Sequence, residues 1–503
     1  MAKIGRAGIQ NTLAYSVVYF IQHQNNFSGL MRQLTGLFLG AGASYEAGMP
    51  LVWELTRELK RWLTPEKLRE LNQGWRKQGG GKPDEVIESF IGVLVRPDLH
   101  YEALLGYLET QYQRHQTYQQ EFHGLYSWLV EMIYHLLYFR HVKNSTFFDG
   151  NLPLYAGIRT LAEKNAPLWI FSLNHDLIVE ALAAKFEIPL HSGFSNKIIS
   201  LPRRDKSGKK IGDLRAQVLS EEELKGAFYY PNPGERGIYL LKIHGALDVF
   251  AYRDGKDLMK LLPNENTVES LLDALRAVNE EVFYPDPRTP NGRVNTINEI
   301  TYADESGKMQ FLRRSLLAGA YKFDKRSSQV LPNVLLTRFA TRINSVTKLV
   351  CIGYGFADLH INAIIRQWLE FTSTRQLEIV NPGITEIPAF LLHLAPQVEI
   401  IPSGATEYFD SIAGIARTRK EKLTKRLAAC FRKSDPQQIQ QKINLFIKED
   451  LTISINDLLQ QLPSSSEELA EKYFPQGDTE SAAIWSDMGD DMLERLVEYL
   501  EKQ

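Results

Sequence analysis

Leu37-Phe38-Leu39-Gly40-Ala41-Gly42-Ala43-Ser44, closed by Gly48-Met49-Pro50, is the stretch that decides the fold of this 503-residue chain. An apolar run enters a turn of small residues, and the apolar spacing beyond it predicts a helix over Leu51–Leu63. That order puts backbone N–H groups and a helix N-terminus at the carboxyl end of a strand, where a phosphate or pyrophosphate can sit. Glycine suits such a turn because the backbone must approach its neighbour closely and can need positive φ. Turns of this kind also exist for packing alone, so the nucleotide reading depends on what the rest of the chain adds.

Working outward, further apolar runs predict strands at about Thr35–Leu39, Leu168–Ser172, Ile238–Lys242, Leu349–Ile352, Leu377–Val380 and Val398–Ile401. Helical spacing follows two of them, over Ile178–Phe186 and His360–Phe371. Strands alternating with helices predict an α/β fold with a Rossmann-like parallel sheet. Residues 34–413 hold these strands and form the expected catalytic domain. Residues 1–33 precede it as an arm. Two helical insertions are expected, at about 83–165 and 250–345, the second with a turn-rich part over Tyr284–Gly292. Residues 195–236 are polar and basic and predict a loop or small hairpin. Residues 414–503 change character, basic over Arg417–Lys433 and acidic after Ser464. They are expected to form an appended helical module for assembly or partner docking.

Composition narrows the function classes. The chain is 44% hydrophobic and 23% charged, enough for an ordinary globular core. A net charge of −2 gives no global attraction to nucleic acid or anionic lipid. Basic runs such as Arg203–Lys210 read as solvated faces, so direct nucleic-acid binding is not expected. Two cysteines, Cys351 and Cys430, supply neither a disulfide framework nor a four-cysteine zinc site. No apolar run approaches the roughly 20 residues that span a bilayer, and Val17–Ile21 is short with no clear cleavage site after it. A reducing cytoplasm is the expected compartment, with no membrane contact.

Four segments fall at predicted strand ends: Gly40–Ser44, Ser172-Leu173-Asn174-His175-Asp176, Ile243-His244-Gly245-Ala246, and Gly353-Tyr354-Gly355-Phe356-Ala357-Asp358-Leu359-His360-Ile361-Asn362. Ligands of open α/β sheets bind in the crevice outside the carboxyl ends of strands. Four polar or glycine-rich segments there predict one shared site.

These segments resemble the SIR2-like (sirtuin-related) proteins, specifically the bacterial NAD-consuming branch of anti-phage defence. Gly40–Ser44 with Gly48-Met49-Pro50 is similar to the sirtuin NAD-binding loop. Ser172–Asp176 is similar to Thr-x-Asn-x-Asp with Ser in the Thr place, and His244-Gly245 to the catalytic His-Gly. The Gly353–Asn362 segment resembles the defence-type branch, and Glu378-Ile379-Val380-Asn381 the late strand whose Asn meets the adenosine ribose. The resemblance covers about Leu34 to Ile412. It implies that Asn174 and His244 are catalytic. It implies that Gly40, Ala41, Gly42, Ser44, Asp176, Gly353, Gly355, Asp358 and Asn381 bind NAD, which is the substrate.

The chemistry so implied is cleavage of the nicotinamide–ribose bond through an oxocarbenium-like ribose. Nicotinamide leaves neutral, so orientation and stabilisation of positive charge are the main demands. Asn174 can place the ribose or a water through its amide. Asp176 can accept from the carboxamide or hold its loop. Histidine as a side chain ordinarily titrates near neutrality, so His244 suits general base duty on a ribose hydroxyl or a water. Each residue also has a plainer reading. Asn174 and Asp176 are favoured helix caps, and Asp358, His360 and Asn362 read equally as a cap and a helix face. His175 and His191 read as structural or surface residues.

The chain departs from the deacylases in two places. Leu51-Val52-Trp53 stands where they carry Asp-Phe-Arg, and the zinc cysteines are missing, so no zinc is expected. A helical insertion in place of a peptide groove makes water the simpler acceptor. NAD+ hydrolysis to nicotinamide and ADP-ribose is therefore expected, with a cyclic product left open. A deacylase or ADP-ribosyltransferase, and a non-catalytic NAD or ADP-ribose sensor, are the rival readings. An enzyme that destroys NAD needs a controlling state. The resemblance implies a homo-oligomer, or partnership with a HerA-like ATPase or another phage-sensing defence protein.

Overall fold

The computed structural model describes residues 34–114, 117–205, 207, 209–226, 228–231, 234–252, 257–281, 295–296, 299–303, 309–316, 333–433, 436–449 and 490–502. The arm at 1–33, the turn-rich stretch 284–292 and the acidic stretch 464–489 lie outside them. In chain order the strands are β1 (Thr35–Leu39), β2 (Leu168–Ser172), β3 (Leu190–His191), β4 (Ile198–Arg204), β5 (Lys210–Leu219), β6 (Ile238–Lys242) and β7 (Val249–Tyr252). They continue with β8 (Asp257–Leu262), β9 (Asn295–Thr296), β10 (Glu299–Ala303), β11 (Met309–Arg314), β12 (Lys348–Ile352), β13 (Gln376–Val380) and β14 (Val398–Ile401).

Seven strands form a parallel sheet in the order β14-β13-β12-β1-β2-β6-β3. Its strands read as continuous apolar runs because helices cover both faces. All five residues of β2 are buried. In β1, Leu37 and Leu39 pack into one core while Phe38 packs into the other, beside Phe171 and Phe339. From β1 the chain builds outward through β2 and β6, then returns to lay β12 against the other side of β1. The reversal puts a topological switch point between the carboxyl ends of β1 and β12, the standard place for a ligand crevice. The α/β fold with a parallel, Rossmann-like sheet is thus present.

The described residues of 84–164 are mostly helical, with helices at Asp84–Leu94, Tyr101–Arg114, Gln119–Val142, Ser145–Asn151 and Gly157–Lys164. The second expected helical insertion is different. It contributes the helix Val268–Arg276, but also β7 to β11. These join β4 and β5 in a second seven-stranded sheet, ordered β4-β5-β8-β7-β11-β10-β9, whose pairs are antiparallel. β7 is buried along its whole length and β8 at five of six residues. Strands covered on both faces lose the polar alternation by which a sheet is read in sequence. A second difference lies after β1, where a 3-10 helix, Ala41–Ala47, precedes the helix Val52–Trp62.

Farther along, the helices Arg419–Lys433, Pro436–Glu449 and Asp490–Lys502 share an apolar cluster built on Leu427, Phe431, Ile443 and Leu496. Among the described residues no helix is long and apolar enough to cross a membrane.

Candidate functional site

The glycines at the switch point bring two loops into backbone contact. Gly40 N–H donates to Ile352 O at 3.0 Å, and Gly42 N–H to Gly353 O at 3.0 Å. A Cβ on Gly40 would lie 2.6 Å from the Tyr354 Cα, and one on Gly42 2.7 Å from the Gly353 Cα. Gly353 has φ +63°, and a Cβ there would meet the Ala43 nitrogen at 2.3 Å. No side chain fits that distance, so the three glycines are required by packing. Ala43 N–H donates to Gly40 O at 2.9 Å, so three amides of the expected phosphate cradle already have backbone partners. Ala41 opens the 3-10 helix, where the first N–H groups have no partner inside the helix.

The loop after β2 crosses to this turn. Asn174 Nδ2 donates to Gly40 O at 2.8 Å and to Ser44 Oγ at 3.1 Å. Ser44 Oγ in turn donates to Asp176 Oδ2 at 2.5 Å, and Asp176 Oδ1 accepts from Ile178 N–H at 3.1 Å. Ser44 is fully buried, and Asn174 and Asp176 nearly so. An amide has two N–H donors, and both of these are engaged, which leaves Asn174 its carbonyl oxygen as an acceptor. Both oxygens of Asp176 hold the loop and the start of the helix Ile178–Lys185.

Beneath the loop lies a buried set of charges that the sequence reading did not single out. Lys242, on the last residue of β6, donates to Asp176 O and, at 3.4 Å, to Asn174 O. It also pairs with Glu180 at 3.4 Å, which pairs with Lys260 at 3.0 Å, and Lys260 meets Asp248. Two lysines and two carboxylates cancel in charge, which is what allows them to stay buried. Burial alone would push the Glu180 carboxyl up, but the two lysines outweigh it and hold it down at about 2. His141 closes the other side, its Nε2 accepting from Leu177 N–H at 3.0 Å. In the sequence Lys242 and Lys260 each stand alone in an apolar strand, β6 and β8, and a strand lysine usually means a solvated face.

The loop after β6 brings His244, 4% exposed. Gly245 behind it has φ +83°, and a Cβ would lie 1.7 Å from Ser315 O, so glycine is required there too. His244 Nε2 lies 3.5 Å from Asp358 Oδ2. Asp358 caps the helix Leu359–Glu370, Oδ1 accepting from His360 N–H at 3.0 Å and Ile361 N–H at 3.3 Å. The two halves of the site are tied together: Ile243 N–H donates to Ser172 O, and Leu247 N–H to His175 O, both at 2.9 Å. The His175 and His244 rings lie 6.5 Å apart.

The remaining expected residues are more peripheral. Gly355 is exposed, and a Cβ on it would meet open space. Asn381 closes its own turn by accepting from Gly383 N–H at 2.9 Å, and donates to Tyr354 O at 3.3 Å. Asn362 is buried and braces the loop through Tyr354 Oη and Phe356 O, while His360 is exposed. His191 sits on β3, its ring edge-on to Tyr239.

No protein-family model matches the chain, and no curated protein matches its sequence.

Proposed function

We propose that the chain is a SIR2-like NAD+ hydrolase that cleaves the nicotinamide–ribose bond. The observation that supports this most is Asn174. Its amide nitrogen is fixed by Gly40 O and Ser44 Oγ, and no described residue donates to its Oδ1. A rigid acceptor at the end of β2, beside a glycine turn and a buried histidine, suits a ribose hydroxyl or an attacking water.

In this reading the pyrophosphate lies at the start of the 3-10 helix, where Ala41 rather than Gly42 supplies the free end of the turn. Gly355, exposed and unobstructed, lets the ligand approach the loop after β12. Asn381 stands at the neighbouring strand end, toward an adenosine ribose. Water attacks the ribose carbon as the bond to nicotinamide breaks, and His244 takes the proton. Asp176 holds the loop and does not reach the carboxamide, since both its oxygens are engaged. The tail helices form an appended module through which a second copy, or a HerA-like ATPase of a phage-defence system, controls NAD+ depletion.

The test is nicotinamide release from NAD+ by purified full-length chain without an acyl peptide. Asn174→Ala and His244→Ala are each expected to lower turnover about 100-fold or more. Turnover that survives both substitutions would overturn the assignment.

A further inference from the structure

His244 and Asp358 come from opposite sides of the central strand β1, one from the end of β6 and the other from the loop after β12. We propose that Asp358 is a positioning residue for His244: its carboxylate, 3.5 Å from Nε2, steadies the imidazolium and the orientation of the ring. The resemblance assigned Asp358 to the nucleotide, and the geometry gives it this second task.

Three features carry the inference. Asp358 divides its oxygens, Oδ1 to the helix amides and Oδ2 toward Nε2 at 3.5 Å, so the cap fixes the angle at which the charge is presented. The segment is braced, since Tyr354 Oη donates to Asn362 Oδ1 at 2.9 Å and Asn362 N–H to Asp358 O at 3.0 Å. The histidine is also held from behind, where Gly245 packs against Ser315 O. A base whose orienting carboxylate is set by a third element is the general arrangement for an activated histidine.

The other charged groups around His244 act less directly. His175, from the loop after β2, has its ring 6.5 Å away and opposes a second positive charge when protonated. Lys242, on β6 itself, directs its ammonium to the carbonyls of Asn174 and Asp176 and to Glu180. Asp176 has both oxygens engaged elsewhere. Among these groups Asp358 is the carboxylate that an ion-pair distance places at the ring.

The catalytic consequence rests on the hydrolase reading. The water oxygen bonds to the ribose carbon as the carbon–nitrogen bond breaks, and nicotinamide leaves with that electron pair as a neutral base. The water proton passes to the His244 ring, and the imidazolium opposite Asp358 then gives it to solvent, one proton for each NAD+ cleaved.

Asp358→Asn separates the two tasks. Asparagine caps a helix as well as aspartate does, but carries no charge. The full chain is labelled for histidine NMR, with His244→Gln identifying the His244 signals. In Asp358→Asn the His244 titration midpoint is expected to fall by about one pH unit or more, with the melting temperature unchanged. An equal midpoint in wild type and Asp358→Asn overturns the proposal and leaves Asp358 a cap alone. This readout needs no turnover, so failure of the hydrolase reading would appear separately. In a chain that consumes NAD+, the acid limb of the pH–rate profile is expected to move down with the midpoint, and an unmoved limb also overturns the proposal.

Discussion

Gly353 and Gly355 stand two positions apart and bear opposite loads. Gly353 has a left-handed backbone pressed against Gly42 and Ala43, while Gly355 has open space where a Cβ would go. Gly353→Ala is expected to cost about 2–4 kcal/mol, combining backbone strain with overpacking. Gly355→Ala should stay within about 0.5 kcal/mol. Urea denaturation of both variants checks this, and equal losses would refute the distinction. The types of residue at this site were legible from the chain alone, because strand ends and small-residue turns are local signals. Their partners were not. Asp176 does meet the amide of Ile178, as a local cap would, but its other oxygen takes the hydroxyl of Ser44, 132 positions away. Asn174 caps nothing and reaches instead across to Gly40. Separations of that kind are set by which strands pair, and no spacing rule reports them.

At the scale of elements, the loop after β2 depends on the long helix Gln119–Val142. His141, near its end, bonds Leu137 O through Nδ1 at 2.8 Å and accepts Leu177 N–H at Nε2. Burial pushes its pKa below the ordinary histidine range, so the folded chain keeps the ring neutral. The unfolded chain takes up a proton there below about pH 6.5. The stability from His141 is thus complete above that pH and lost as pH falls below it, by at most about 1.4 kcal/mol per pH unit. His141→Gln should be less stable at neutral pH but lose less on acidification from pH 7 to pH 5. Parallel losses in chemical denaturation would sink the idea. The parallel strands were readable because each is a short apolar run between turn signals. The second sheet was not, because β7 and β8 are buried on both sides and resemble a core helix as well as a strand. The 3-10 helix Ala41–Ala47 escaped for another reason: two turns, most of them small residues, carry no apolar periodicity.

Across the whole molecule, the helix Arg419–Lys433 clasps the segment that carries Ser44. Arg432 makes a two-pronged pair with Glu54 at 2.9 and 3.0 Å, donates to Tyr45 O and Met49 O, and lies 3.8 Å from the Tyr45 ring. Lys425 meets Glu46 in the same segment. The outer side of the helix pairs with the acidic end of the chain, Arg419 with Asp491 and Arg426 with Glu501. Those outer pairs are exposed and add little, whereas Arg432 is 6% exposed and its removal strands Glu54. Arg432→Ala is expected to cost about 3–5 kcal/mol, and Arg432→Lys should recover little because an ammonium cannot reproduce the fork. Thermal unfolding of both checks this, and full recovery by lysine would overturn it. The basic and acidic composition of this region was plain in the chain, but charge alone cannot tell a solvated face from two helices facing each other.

The backbone contact among Gly40, Gly42 and Gly353 has a consequence for anyone who reads this site from tolerated variation. In a library of single substitutions screened only for soluble expression, with no ligand and no reaction demanded, those three positions would already return glycine alone. The blank columns would look like the signature of a nucleotide pocket, yet they would record only that two halves of a sheet meet there without room for a methyl group. Ala41, Asn174 and Gly355 are the positions where a screen for function would have something left to say.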